Sequence, residues 1–192
     1  MLRKDNLFRA LLVMMLAVVM AGCQQWTRID EGKNIQSDNE GTFEVEVPTY
    51  WVRHNFDREA LAVTKDSPEL QMARFMRRNT DKPFNSLEGK LPESPLVTDL
   101  ADYYLADLKE RMGGIEVEKL ALTPATLAGE TGFRMELRFF TERGLEMKQV
   151  AYGVLIDGAF YELFYQAPNL IYFERDLPTF EQMVESFKPK SA

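Results

Sequence analysis

Between Thr42 and Val47 the chain alternates without exception. Phe43, Val45 and Val47 fall on one side, Thr42, Glu44 and Glu46 on the other, and Pro48 ends the run. A period of two with one apolar side predicts a half-buried strand. Two more short strands are expected over 60–65 and 69–77. From about Pro95 to Met112 the spacing changes to three and four: Val97, Leu100, Ala101, Tyr104, Leu105, Leu108 and Met112 share one face, while Asp99, Asp102, Asp107 and Glu110 lie elsewhere. That is an amphipathic helix, capped by Ser94 or Thr98 and ended by Gly113-Gly114.

Residues 132–167 return to the period of two. Phe133, Met135, Leu137 and Phe139 alternate with Arg134, Glu136 and Arg138, and Glu142-Arg143-Gly144 suits a three-residue hairpin loop. A tight turn at Asp157-Gly158 then sets Val150, Tyr152, Val154 and Ile156 opposite Tyr165, Leu163, Tyr161 and Ala159. Leu155, Phe160 and Phe164 make the other face apolar too, so this hairpin needs cover on both sides. A closing helix is expected over Leu177–Phe187, with Asp176 as cap, Pro178 in its first turn, and Phe180, Met183, Val184 and Phe187 as its apolar edge. The class is α+β: an antiparallel sheet flanked by helices, layered as an α/β/α sandwich.

Two segments lack such periodicity. Residues 78–95 form a long polar loop punctuated by Pro and Gly, a length that marks either a functional element or a surface loop pinned by Phe84, Leu87 and Leu91. Residues 24–40 are mostly polar and read as a tether, which fully extended would span about 55 Å at ~3.3 Å per residue. Trp26 and Ile29 offer it a contact, either with a membrane interface or with the domain.

Ahead of this segment, Arg3, Lys4 and Arg9 precede eleven unbroken apolar residues, 10–20, and the chain's one cysteine, Cys23, follows. A basic start, a short apolar stretch and small residues make a secretory signal. Eleven residues cover only about half of a ~30 Å hydrocarbon core, so a spanning helix is the weaker reading. One cysteine builds neither an internal disulfide nor a cysteine-based metal site, leaving it as buried filler, nucleophile or attachment point. Met20-Ala21-Gly22-Cys23 resembles the lipobox of bacterial lipoproteins, with Met in place of the usual Leu. The resemblance implies cleavage between Gly22 and Cys23, a diacylglycerol on the Cys23 sulfur, and membrane anchoring through that lipid. Gln24 after the cysteine then implies the outer membrane, periplasmic face. On this reading the chain divides into a signal peptide, 1–22, a lipidated N-terminus and tether, 23–40, and one domain, 41–190.

Removing Arg3, Lys4, Arg9 and Asp5 with the signal leaves 20 basic and 29 acidic residues, a net charge of −9. No Lys/Arg-rich block supplies the footprint of nucleic-acid binding. The chemistry of catalysis is equally thin. His54 is the sole imidazole, so a nucleophile has one base at most, and no dinucleotide, P-loop or His-Glu-x-x-His motif occurs. His54 with Asp57 and Glu59 is the one conceivable metal set, a composition ordinary for a charged loop.

FEVEVPTYW at 43–51, VTDLADYYLADL at 97–108, GVLIDGAFYELFYQAP at 153–168 and FEQMVESFK at 180–188 occur in an order that resembles the PsbP-like fold. That fold is shared by the photosystem II extrinsic protein, Ran-binding Mog proteins, DcrB-like envelope lipoproteins and Eag-type chaperones. The resemblance implies a binding or assembly protein rather than an enzyme, and brings no catalytic residues, cofactor or metal. The expectation is an envelope accessory factor with a protein partner. The alternative is a carrier that holds a small apolar ligand among its many Phe and Tyr side chains.

Overall fold

A computed structural model describes residues 25–55, 57, 59–79, 81, 83, 84, 91, 92 and 94–190. Gly22 and Cys23, and the centre of the 78–95 segment, lie outside the described residues. The elements in chain order are β1 (Trp26–Arg28), β2 (Ile35–Gln36), β3 (Phe43–Glu46), β4 (Val52–His54), β5 (Ala60–Thr64), β6 (Met72–Asn79), α1 (Val97–Arg111), β7 (Val117–Leu127), β8 (Glu130–Phe140), β9 (Glu146–Ile156), β10 (Ala159–Pro168), α2 (Tyr172–Glu185) and β11 (Lys188–Pro189). Eight strands form one sheet in the order β1-β4-β5-β6-β10-β9-β8-β7, and β11-β3-β2 form a second, small one. Every pairing is antiparallel.

Each face of the large sheet buries one helix, because β9 and β10 are apolar on both sides. Val150, Tyr152, Val154, Tyr161, Leu163 and Tyr165 point to the side of α2, where Phe173, Phe180, Met183 and Val184 meet them together with Phe43 and Val45 of the small sheet. Met135, Leu137, Ala151, Phe160 and Phe164 point to the other side, against Leu100, Ala101, Tyr104 and Leu108 of α1. The central hairpin has the expected register, Ile156 opposite Ala159 and Val150 opposite Tyr165, and Asp157 (φ 48°) with Gly158 (φ 72°) makes the two-residue turn that strand twist favours. Gly153 on β9 makes room for two rings from the strands on either side of it, Phe133 of β8 and Phe160 of β10. A Cβ there would sit 2.3 Å from Phe133 and 2.8 Å from Phe160.

Several elements differ from what periodicity predicts. The second and third strands run over 60–64 and 72–79, because Leu70 and Gln71 donate to Ser67 O in a turn. Strand β7 has no clear pattern in sequence: it is the sheet edge, carries a bulge between Lys119 and Ala121, and includes Pro124, which an edge tolerates. Helix α1 begins after Leu96 without a side-chain cap, so neither Ser94 nor Thr98 serves as one. Helix α2 starts at Tyr172, a full turn before Leu177, since Phe173 stacks on Tyr165 with centroids 5.7 Å apart. Asp176 is therefore no cap. It is buried inside the helix, 2.8 Å from Lys65 Nζ, and Pro178 lies in the helix interior.

The stretch expected as a tether docks on the domain from residue 25 onward. Trp26 pairs with His54 and Arg28 with Val52, Ile29 is buried in the core, and Ile35–Gln36 pair with β3. Among the described residues, strand pairing and core packing thus already involve residues 26–36, ahead of Gly41.

Candidate functional site

Two features of the molecule are not accounted for by the packing of the cores. The first is a cluster of charges beneath α1. Asp107 and Glu162 are fully buried. Arg78 reaches both, with Nη1 3.1 Å from Asp107 Oδ2 and Nη2 2.5 Å from Glu162 Oε2, the latter an ion pair outside hydrogen-bond geometry. Arg111 closes the ring, Nε 2.9 Å from Asp107 Oδ2 and Nη2 3.3 Å from Glu162 Oε1. Burial pulls the Arg111 guanidinium down, but Glu162, Tyr104 and Asp107 outweigh it and hold the group above its usual value. Nearby, Tyr104 accepts a 2.6 Å hydrogen bond from Gln149. Burial, and then the charge of Glu162, push its phenol well above the ordinary range. Two carboxylates against two guanidiniums leave the ring neutral, with each acid engaged by both arginines. Such a ring clamps α1 onto β6 and β10 and presents neither acid for proton transfer.

Outside this ring lies a cleft of about 580 Å³, lined by Arg74, Arg77, Arg78 and Arg111 and by Asp38, Glu40 and Glu59. Side chains of both signs of charge line it. It is an open polar depression rather than an apolar cavity. The space between sheet and α1, where a carrier would hold its ligand, is filled by Phe84, Phe133 and Phe160, with ring centroids 4.9 Å apart for Phe84 and Phe160 and 6.5 Å for Phe133 and Phe160.

The second feature is an exposed apolar end. Leu170 is 88% exposed, Ile171 58%, Phe140 51% and Leu145 46%. Topology gathers all four. Phe140 pairs with Glu146, Leu145 precedes Glu146, and Asn169, next to Leu170, donates its N–H to Glu146 O at 3.0 Å. Four large apolar side chains at one sheet end exceed the single exposed residues scattered over ordinary surfaces. Lys148 and Glu174, 3.1 Å apart, lie on the flanking strand and helix.

The residues singled out in sequence are not brought together as a site. Asp57 receives Arg74 Nη2 at 2.8 Å and the N–H groups of Glu59 and Ala60, while His54 Nε2 meets Gln25 at 3.0 Å and its ring packs on Trp26. Among the described residues, no group of three or more His, Cys, Asp or Glu is placed to hold a metal ion, and no helix is long and apolar enough to cross a membrane. The buried ring escapes sequence reasoning at Asp107, which belongs to the buried side of α1 and not, as expected, to its solvated side. A signal was available in Glu162, a lone charge within the otherwise apolar AFYELFY of β10, and in Asp107-Arg111 at a four-residue helical spacing.

No protein-family model matches the chain. No curated protein matches it by sequence. Solved structures do match. The cyanobacterial PsbP of Synechocystis sp. PCC 6803 aligns over 88% of this chain and 95% of its own at 14% identity, with a TM-score of 0.52. The Ran-binding protein Mog1p of Saccharomyces cerevisiae aligns over 85% and 96% at 9% identity and 0.56. LpqN of Mycobacterium tuberculosis, described as involved in cell envelope biogenesis, aligns over 86% and 91% at 13% identity and 0.52. Superposition across nearly the whole of these domains, despite so little identity, means that the chain has the PsbP/Mog1-like fold.

Proposed function

We propose that this chain is a lipid-anchored protein of the bacterial cell envelope whose domain binds a partner protein as an accessory or assembly factor, and that it is not an enzyme. Residues 1–22 direct export, cleavage falls between Gly22 and Cys23, and Cys23 carries the diacylglycerol that holds the domain on the periplasmic face of the outer membrane. The observation that carries the binding role is the apolar end formed by Phe140, Leu145, Leu170 and Ile171, which has the exposure and composition of an interface centre. It stands on two hairpin-braced strands and the first turn of α2, so its geometry is set before any partner arrives. In this reading α1, the large sheet and α2 make an α/β/α sandwich, whose cores give rigidity while the sheet end makes contact.

A neighbour described as Ran-binding and another described as acting in envelope biogenesis support a binding role and an envelope setting for such a fold. The test is photo-crosslinking in cells from a probe at Leu170, compared with one at the exposed Lys33 on the far small-sheet loop. A discrete adduct from position 170 that disappears in Ile171→Asp supports the proposal. Absence of any adduct specific to position 170, with normal protein levels, overturns it.

A further inference from the structure

We infer that the ribbon formed by β1 and β4 rests directly on the lipid surface when Cys23 is acylated; this extends the anchor reading above. Only Gln24 separates Cys23 from Gln25, so their Cα atoms are at most about 7 Å apart. Gln25 is not free to swing. Its carbonyl accepts the Asn55 N–H at 2.9 Å, its side chain bonds His54 Nε2 at 3.0 Å, and the next three residues pair along β4. The acyl chains fix Cys23 at the membrane interface, and the reach from there to Gln25 is comparable with one headgroup layer, roughly 5–8 Å. The domain has no slack in which to stand off.

What faces the lipid suits it. Trp26 is half-buried, its ring tilted against His54 at 4.6 Å, and an amphipathic indole is the side chain that membrane interfaces favour. Residues 25–28 and 52–55 contain Arg28, Arg53 and His54 and no Asp or Glu, and Asp57, which lines the same depression as Trp26 and His54, is paired with Arg74 at 2.8 Å. In an acidic chain these eight residues therefore add no carboxylate of their own to repel anionic headgroups. Among the described residues β1 is also the outer strand of the eight-stranded sheet, which puts the ribbon at the sheet edge, where headgroups can approach it.

The protein has two tryptophans, and Trp51 is fully buried, so Trp26 emission is separable from an internal reference. The acylated full-length protein is reconstituted into vesicles of phosphatidylethanolamine and phosphatidylglycerol, with and without lipid brominated near the headgroup, alongside Trp26→Phe. The expected result is a roughly twofold or greater loss of the Trp26 component on bromolipid, with the Trp51 emission of Trp26→Phe unchanged. Inserting a six-residue Gly-Ser spacer after Gln24 should restore the lost emission. An unquenched Trp26 in protein whose intact mass shows the lipid overturns this inference alone, as does quenching that the spacer leaves unchanged. A mass without lipid on Cys23 overturns the anchor reading and this inference together.

Discussion

Glu162→Gln isolates the value of the buried charge ring. The substitution keeps the shape, but it removes one of two negative charges and turns one acceptor oxygen into a donor NH2, leaving Arg78 and Arg111 to share Asp107. At an effective dielectric near 20, a contact pair is worth about 4 kcal/mol, and removing one partner of a buried pair costs about 3–5 kcal/mol because the remaining charge stays desolvated. Glu162 is fully buried while Arg78 and Arg111 keep 17% and 28% of their side chains exposed, which places the ring nearer that regime than to surface pairs worth about 0–1 kcal/mol. For a domain of this size, each kcal/mol moves the midpoint by roughly 2–4 °C, so Glu162→Gln should melt roughly 10 °C lower. Urea unfolding followed by Trp51 emission measures the free energy, and Lys33→Ala, which breaks only the exposed 3.5 Å pair with Asp30, is the control. A loss below about 1 kcal/mol for Glu162→Gln would refute the claim that the ring's charges are tightly coupled. Replacing Arg78, Arg111, Asp107 and Glu162 together by apolar residues should cost less than the single change, since no orphan charge is then left.

Two further outcomes are expected. Gly153→Ala forces the Phe133 and Phe160 rings aside and should cost about 1–3 kcal/mol, seen as a lower urea midpoint with unchanged slope; a neutral result would mean the two rings have more room to shift than 2.3 Å implies. Alkaline titration followed by phenolate absorbance should leave Tyr104, Tyr152 and Tyr165 silent near pH 10 among the seven tyrosines. Burial raises each of them, seconded by Glu162, Glu181 and Asp176 respectively. The folded state holds these protons more tightly than the unfolded one. Their contribution to stability is therefore complete below the usual tyrosine value near 10 and is lost as pH climbs towards the raised values. Seven tyrosines titrating together in folded protein would contradict this.

The sequence makes the double-faced hairpin, the helix over 97–111 and the aromatic cores legible, because those depend on spacing along the chain. Val150 opposite Tyr165 follows from turn length alone, and the turn at Asp157-Gly158 declares its own geometry. What escapes is whatever depends on distant partners. Residues 25–36 look like a tether because β1 and β2 are too short to show a period, and their pairing energy comes from β4 and β3. The start of α2 escapes because Tyr172 and Phe173 are drawn into helix by Tyr165 and not by a local cap. The polar ring needs Arg78 to meet Asp107 and Glu162 across three elements. The exposed sheet end has the same origin: Leu145 and Leu170 are neighbours only because Asn169 bonds to Glu146.

The order of strands also governs when the molecule can come into being. β1, β4, β5 and β6 join the remainder of the sheet solely through β6 and β10, whose pairing sets Asn79 against Ala159, about eighty residues later. The small sheet is closed by Lys188 against Glu44, nearly the whole domain apart. Long-range pairings of this kind form late and slowly, since a large loop must close before any contact rewards it. Without β10 the β1-β4-β5-β6 and β9-β8-β7 sets share no strand, and the apolar residues that face α1 and α2 lose their central support. Completion of the large sheet therefore waits on a single late strand, whose position in the chain sets the order of assembly.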